Sequence, residues 1–314
     1  MVKFLYYLFK TARPRQWLKN LAVFASIIFT GQLFNPKFFA ITLATFFIFC
    51  AASSANYLFN DVLDAPQDRK HPFKKNRPVA SGAISPQATL VVAFSLCLVS
   101  LWAASRINLS FFLITLAFLI LEFAYTLVFK KLAVVDILTI TGAYILRVYA
   151  GEVATGFHIS IWLFLTVLSL SLFLAIGKRR AELTLIEGYG GVVPRDTRIS
   201  LSHYSERLLD TYIAMTAAST WITYAFYTFL ERPPVWGWLW QSQWGKFFSD
   251  VPERKWLMLT IPFVLFGIMR YMQLIYEGKE GESPEKILTS DLPLMLTVLS
   301  WGLTVILIIY GFGG

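Results

Sequence analysis

The sequence of 314 residues is poor in cysteine, histidine and charge. Its two cysteines, Cys50 and Cys97, both fall inside apolar stretches, where lone thiols pack as small hydrophobes. That leaves no disulfide framework and no thiolate metal site. His71, His158 and His203 stand far apart, and no His/Cys/Glu spacing suggests zinc. Walker A, GxGxxG and nucleophile-elbow patterns are absent, which removes the common nucleotide-binding and serine-hydrolase classes. Charged residues make up 15% of the chain against 56% apolar residues, so no soluble module is present to carry nucleic acid. Met1 to Lys19 lack a long apolar core before a small-residue site, and no cleavable signal peptide is expected.

What is abundant is hydrophobic length. Mean hydropathy is +0.59. A spanning helix needs about 20 apolar residues, and nine runs are candidates: 18–34, 37–59, 86–105, 109–129, 132–150, 158–176, 208–230, 256–276 and 291–312. The expected fold is all-α, a polytopic membrane bundle of about nine transmembrane helices forming a single catalytic domain over residues 1–314. Residues 1–17 read as an interfacial segment, with Val2 to Phe9 amphipathic and Pro14 breaking the chain before the first run. With the N-terminus inside, the inner segments hold 20 of the 28 Lys and Arg residues and the outer ones six. The positive-inside rule then orients the chain with its N-terminus in the cytoplasm of a bacterial plasma membrane. Segments 60–85 and 177–207 become cytoplasmic loops, and the net charge of +9 becomes an inner surface facing anionic lipid.

The polar residues around these runs carry the chemistry. Asn60, Asp61, Asp64 and Asp68 end the second run, and on a helix they share an arc of roughly 100°. Asn56 extends the same stripe. Carboxylates at a helix C-terminus sit at the negative pole of the macrodipole and need a cation. Mg²⁺ would meet that need, and Arg69, Lys70, Lys74, Lys75 and Arg77 just downstream would hold the phosphates it bridges. An ordinary solvated loop is the plain alternative. Pro66 is expected to end or bend the helix near Ala65, with Asp68 curling back.

A second cluster is Tyr125, Lys130, Lys131 and Asp136, in a tight turn between two runs. Snorkelling lysines at a helix end would look the same. A third is Gly177-Lys178-Arg179-Arg180-Ala181-Glu182, read either as a phosphate grip or as cations suited to a helix C-terminus, with Glu182 pairing back to Lys178. Arg147 and Glu152 lie inside the membrane, where they either pair across one turn or line a polar cavity. Glu206 and Asp210, one turn apart, form a candidate second carboxylate pair. Trp236, Trp238, Trp240 and Trp244 give residues 231–255 an interfacial look.

These residues resemble the UbiA superfamily of intramembrane prenyltransferases, whose pattern is NDxxDxxxD followed by a basic segment ending in RPxxxG. Here that is Asn60, Asp61, Asp64 and Asp68, then Arg77-Pro78-Val79-Ala80-Ser81-Gly82. A branch that transfers phosphoribose to decaprenyl phosphate is the nearer match. It has RPRQWxKN (Arg13 to Asn20), a Tyr five residues before a Lys (Tyr125 and Lys130), LRVxAG (Leu146 to Gly151) and GKRxAE (Gly177 to Glu182). Pro284-Glu285-Lys286-Ile287 and Asp291 resemble its last inner loop. The second aspartate motif of typical prenyltransferases, DxxxD, is missing from 177–207, where GKRRAE stands instead.

The resemblance implies transfer of 5-phosphoribose from 5-phosphoribosyl 1-diphosphate (PRPP) to a polyprenyl phosphate, with inversion at C1 and release of diphosphate. Asp61, Asp64 and Asp68 would hold Mg²⁺, with Asn60 orienting a carboxylate or binding a ribose hydroxyl. Lys19, Arg77, Tyr125, Lys130, Lys178 and Arg179 are the candidates for the phosphates. Gln16, Asn20, Arg147, Glu182 and Asp210 are candidates for a polar cavity. The acceptor phosphate is already an anion and needs no general base. The alternatives are a prenyltransferase acting on an aromatic acceptor and a transporter for a phosphorylated solute. A transporter would gather its charge near the midplane rather than at the inner ends. Membrane lipid is an expected neighbour, and a homo-oligomer is compatible with such a bundle.

Overall fold

Polar caps decide where the apolar runs begin to coil. The computed structural model describes residues 2–69, 74–188, 199–231, 255–277 and 284–312. It opens with α1 (Val2–Ala12), a 3₁₀ segment (Pro14–Phe24) and the short α2 (Ala25–Phe29). Asn35 then accepts the Lys37 N–H and Pro36 starts α3 (Pro36–Asp68). Ser85 and Pro86 do the same for α4 (Pro86–Ser105), and Asn108 caps α5 (Leu109–Leu127). α6 (Val135–Thr155) ends on Gly156 at φ +80°, a conformation that suits glycine. α7 (Ile161–Gly188) is followed by α8 (Glu206–Leu230), capped by Ser205. α9 (Ile261–Tyr276), α10 (Pro284–Ser290) and α11 (Leu292–Ile306), capped by Asp291, complete the bundle. Among the described residues there is no strand.

Among the described residues, seven helical stretches are long and apolar enough to cross a membrane, against the nine runs in the sequence. The run at 18–34 is not a spanning helix. Lys19 and Asn20 interrupt it, and it lies within the 3₁₀ segment and the five-residue α2. This segment lies against α6 at Gly151, where a Cβ would come within 1.9 Å of the Val23 carbonyl oxygen. Only glycine allows that approach. The run at 208–230 is helical as α8, but is not among the seven.

The segments at 60–85 and 177–207 are also less loop-like than expected. α3 stays helical through Pro66 to Asp68, and its end is closed by the Arg69 N–H on the Ala65 carbonyl. Pro66 stands in the last turn, where few helical hydrogen bonds remain to be lost. The 33 residues of α3 rise about 50 Å, against a hydrocarbon core of about 30 Å, so its last turns project beyond the apolar layer. α7 likewise runs past Glu182.

The core falls into two main clusters joined by α6. One packs Phe49 and Ala52 of α3, Phe111 and Phe118 of α5, and Ala143 and Ala150 of α6 around Val23. The other packs Ile137 of α6 with Phe173 and Ile176 of α7, Leu209 and Ile213 of α8, and Tyr271 of α9. Ala65, Val79 and Ile84 form a small satellite that folds the basic segment back on the end of α3.

Candidate active site

The acidic stripe of α3 is met by cations from three other parts of the chain. Arg13 bonds Asp61 through Nη2, and its guanidinium lies 5.2 Å from the Tyr57 ring centre. Arg13 reaches there from a left-handed backbone (φ +53°) between α1 and the 3₁₀ segment, a conformation costly for a non-glycine residue. Arg77 Nη1 lies 2.7 Å from Asp68 Oδ2 and 3.5 Å from Asp61 Oδ1. Lys130 Nζ donates to Asp64 Oδ1 at 2.6 Å and to Asn60 Oδ1 at 3.3 Å. Asn60, Asp61, Asp64 and Asp68 are thus brought together with Arg77 and Lys130. Among the described residues, no three His, Cys, Asp or Glu side chains converge to hold a metal unaided. Carboxylate and amide oxygens strung along one helix are the hard, incomplete donor set that Mg²⁺ shares with substrate phosphates.

Below the aspartates lies a cavity of about 100 Å³, lined by Lys19, Tyr57, Glu122, Tyr144, Arg147 and Lys178 among others. Tyr125 also faces it. Arg147 is held in place by Asn20, whose Oδ1 accepts from Nε at 2.8 Å, and by the Ala143 carbonyl, which accepts from Nη1 at 2.7 Å. Its guanidinium lies 4.8 Å from the Phe118 ring centre. Arg147 does not pair with Glu152, which instead meets His158 Nδ1 at 2.7 Å. It faces Glu122 at 3.7 Å. Gln16 is half-buried on the same 3₁₀ segment as Lys19 and Asn20.

Arg179, expected among the phosphate ligands, lies in a buried ion-pair network. It is fully buried, with Nη1 2.5 Å from Glu182 and Nη2 donating to the Tyr125 hydroxyl at 3.0 Å. Its Nε is 2.8 Å from Asp136, itself fully buried, close enough for an ion pair but not aligned as a hydrogen bond. Two carboxylates neutralise this guanidinium, and its side chain is fully enclosed. Asp136 also accepts from Tyr204 at 2.8 Å and from Ser200 at 3.1 Å. The Tyr204 hydroxyl in turn accepts the Val134 N–H at 2.6 Å. Burial raises the phenol pKa of Tyr204 well above its ordinary value. Glu206 and Asp210 both grip Arg180, at 2.5 and 2.7 Å, and Tyr276 donates to Asp210 at 2.9 Å. Asp210 therefore belongs to the α7–α8 contact rather than to the cavity. Lys70 and His71, the side chains of Glu285 and Lys286, and the tryptophans at 236–244 lie outside the described residues.

Glu122 was not anticipated. The signal was a lone carboxylate within the apolar run 109–129, an expensive placement that marks function. Arg13 was visible only as part of a motif, with nothing to link it to Asp61. The family model described as UbiA prenyltransferase family matches residues 21–182. Decaprenyl-phosphate phosphoribosyltransferase of Mycobacterium tuberculosis is 33% identical over 301 residues, covering 94% of this chain and 92% of that protein. The protein of that name from Corynebacterium glutamicum is 30% identical, covering 96% and 86%. Among solved structures, a UbiA homolog from Archaeoglobus fulgidus bound to GPP and Mg²⁺ superposes with a TM-score of 0.68 at 20% identity, covering 96% of this chain and 99% of that one. Aspartate stripe, basic return segment and helical bundle all agree with these matches, and the chain belongs to the UbiA prenyltransferase family.

Proposed function

We propose that this protein, acting as one membrane-embedded catalytic unit, transfers 5-phosphoribose from PRPP to a polyprenyl phosphate. The observation that carries the reading is the charge of the cavity below the aspartates. Lys19, Arg147 and Lys178 line it beside a single carboxylate. A donor with a phosphate at each end of a polar ring suits both the acidic stripe and this basic cavity. A prenyl diphosphate would lay hydrocarbon against three cations, which is unfavourable. Among the described residues of the α7–α8 side, the Glu206/Asp210 pair grips Arg180 and does not line the cavity. The names of the mycobacterial and corynebacterial relatives support the same reading.

In the reaction, the bond from ribose C1 to the diphosphate oxygen breaks with its electron pair leaving on diphosphate. A polyprenyl phosphate oxygen forms the new bond to C1 from the opposite face. Asp61, Asp64 and Asp68 would hold Mg²⁺, with Asn60 beside them. When bound, the ion would neutralise the departing diphosphate. Arg77, Lys130 and Arg13, which occupy these carboxylates, would turn to diphosphate oxygens as the site fills. Lys19, Lys178 and Arg147 would hold the remaining phosphate charge. The chain would supply position and electrostatics, and no proton transfer.

The site would open to the cytoplasm of a bacterial plasma membrane, with α1 lying in the interface. A thiol reagent that cannot cross membranes should label Lys3→Cys only after permeabilisation; labelling of intact cells would reverse this orientation. The activity is tested with purified protein, labelled PRPP, polyprenyl phosphate and Mg²⁺. Label should enter lipid, vanish with EDTA, and fall roughly 10²–10³-fold or more in Asp64→Ala. Reaction of a prenyl diphosphate with an aromatic acceptor, and none of PRPP, would overturn the reading.

A further inference from the structure

α3 and α5 are joined rung by rung. Lys130, just beyond α5, holds Asp64 and Asn60. One turn deeper, Thr126 Oγ1 donates to Asn56 Oδ1 at 3.4 Å. Deeper again, Asn56 Nδ2 donates to Glu122 Oε2 at 2.8 Å. Asn56 and Asp64 are eight residues apart, about 12 Å along the helix. Glu122 therefore lies on the same line as the diphosphate site, on the membrane side of it.

The other carboxylate oxygen of Glu122 is the unusual one. Its near cation, Arg147 Nη2, is 3.7 Å from Oε1, beyond hydrogen-bond distance. Arg147 is drawn elsewhere by Asn20 and the Ala143 carbonyl. No described residue is recorded donating a hydrogen bond to Oε1, and Glu122 lines the cavity with Lys19 and Lys178. A carboxylate facing an anion-binding cavity repels phosphate, so its ligand is not the phosphate. What a carboxylate oxygen accepts is a neutral hydroxyl. Between the two phosphates of a phosphoribosyl donor, the pentose is the only part that offers one.

We propose that Glu122 recognises the pentose hydroxyls of the donor, with Asn56 as the residue that positions it, and that this contact selects a sugar donor over a prenyl one. The inference rests on the phosphoribosyl reading above and deepens it. A prenyl diphosphate brings no hydroxyl, so its entry leaves a part-buried carboxylate oxygen without a hydrogen bond. Sites built to bond a hydroxyl reject analogues lacking it by factors of about 10⁴–10⁵.

The test compares two ligands that share the diphosphate and differ in the sugar. In Glu122→Gln, which keeps the volume and can still accept from Asn56, KM for PRPP should rise about tenfold or more. The inhibition constant of Mg-diphosphate should stay within about twofold, because that ligand has no pentose. On the wild-type protein, a 2-deoxy analogue of PRPP should show the same weakened binding, a readout independent of any variant's folding. Equal losses for PRPP and diphosphate, an unchanged KM for PRPP, or a 2-deoxy donor bound as well as PRPP would each overturn the proposal. A wild-type protein that transfers nothing from PRPP would instead overturn the activity itself, so the two failures are distinguishable.

Discussion

Two guanidinium–carboxylate clusters sit near the same end of this bundle, built from the same chemistry and to opposite effect. At the end of α3 the cations are part-exposed, Arg13 28%, Arg77 26% and Lys130 17%, over carboxylates that run from 2% at Asp61 and 6% at Asp68 to 24% at Asp64. Between α6 and α7, Arg179 and Asp136 are both 0% exposed. The open cluster draws its cations from three separate segments, each part-exposed. The sealed cluster adds Tyr125, Ser200 and Tyr204 around its charges. An open pair trades water for a partner at little net gain, and so can trade the partner for substrate. A sealed pair has no replacement for either charge, and losing one is strongly unfavourable. Residue type alone does not separate the two clusters; solvent access to the cation does.

The sharpest way to break that comparison is Arg179→Ala. It strands Asp136 as a buried charge and should cost about 3–5 kcal/mol of stability. Melting of the detergent-solubilised protein should fall steeply, with activity lost in proportion to folded protein. A variant that melts normally yet no longer binds PRPP would make Arg179 a phosphate ligand and end the distinction.

The opposite behaviour is expected at the open cluster. Arg77→Ala and Lys130→Ala each remove charge-assisted contacts of about 1.5–3 kcal/mol, roughly 10–100-fold in binding. That loss should appear in the KM for PRPP and in the Mg²⁺ requirement, with a smaller change in melting than Arg179→Ala gives. A large drop in melting temperature at unchanged KM would show these cations to be structural too.

How much of this could be read from the chain depended on whether partners were local. The stripe Asn56, Asn60, Asp61, Asp64 and Asp68 was legible because helical period alone gathers it. Its partners were not, because Arg13 and Lys130 lie 48 and 66 residues away from the aspartates they bond. Arg179 and Lys178 are adjacent in sequence, and only packing sends one into a sealed pair and the other to the cavity wall. Glu122 announced its cost, as a carboxylate in an apolar run, but not its use. Hydropathy overcounted the spans at 18–34 because it averages over Lys19 and Asn20, the side chains that tie that stretch to the cavity. Family motifs pointed to the reaction more directly than composition, which reached only a membrane enzyme handling phosphates.

The smallest effect tests how the sealed cluster supports the open one. Val134 sits at φ +67°, an outlying conformation for a β-branched residue, and the Val135 N–H closes on the Ala133 carbonyl at 2.8 Å as a three-residue γ-turn. This strained turn follows Lys130 and leads to Asp136, and the Tyr204 hydroxyl bonds both the Val134 N–H and Asp136. Tyr204→Phe removes both bonds and should cost about 1–2 kcal/mol at neutral pH. Burial raises the Tyr204 pKa above its ordinary value, so the unfolded chain ionises first as pH rises. The stabilisation is therefore complete below about pH 10 and is lost as pH climbs through the folded value. Melting curves of the two proteins should converge on the alkaline side of that point, since phenylalanine has no proton to lose. A gap that stays constant to higher pH would mean that Tyr204 supports the turn by packing alone, and that its hydroxyl does not link the sealed charges to the lysine that holds Asp64.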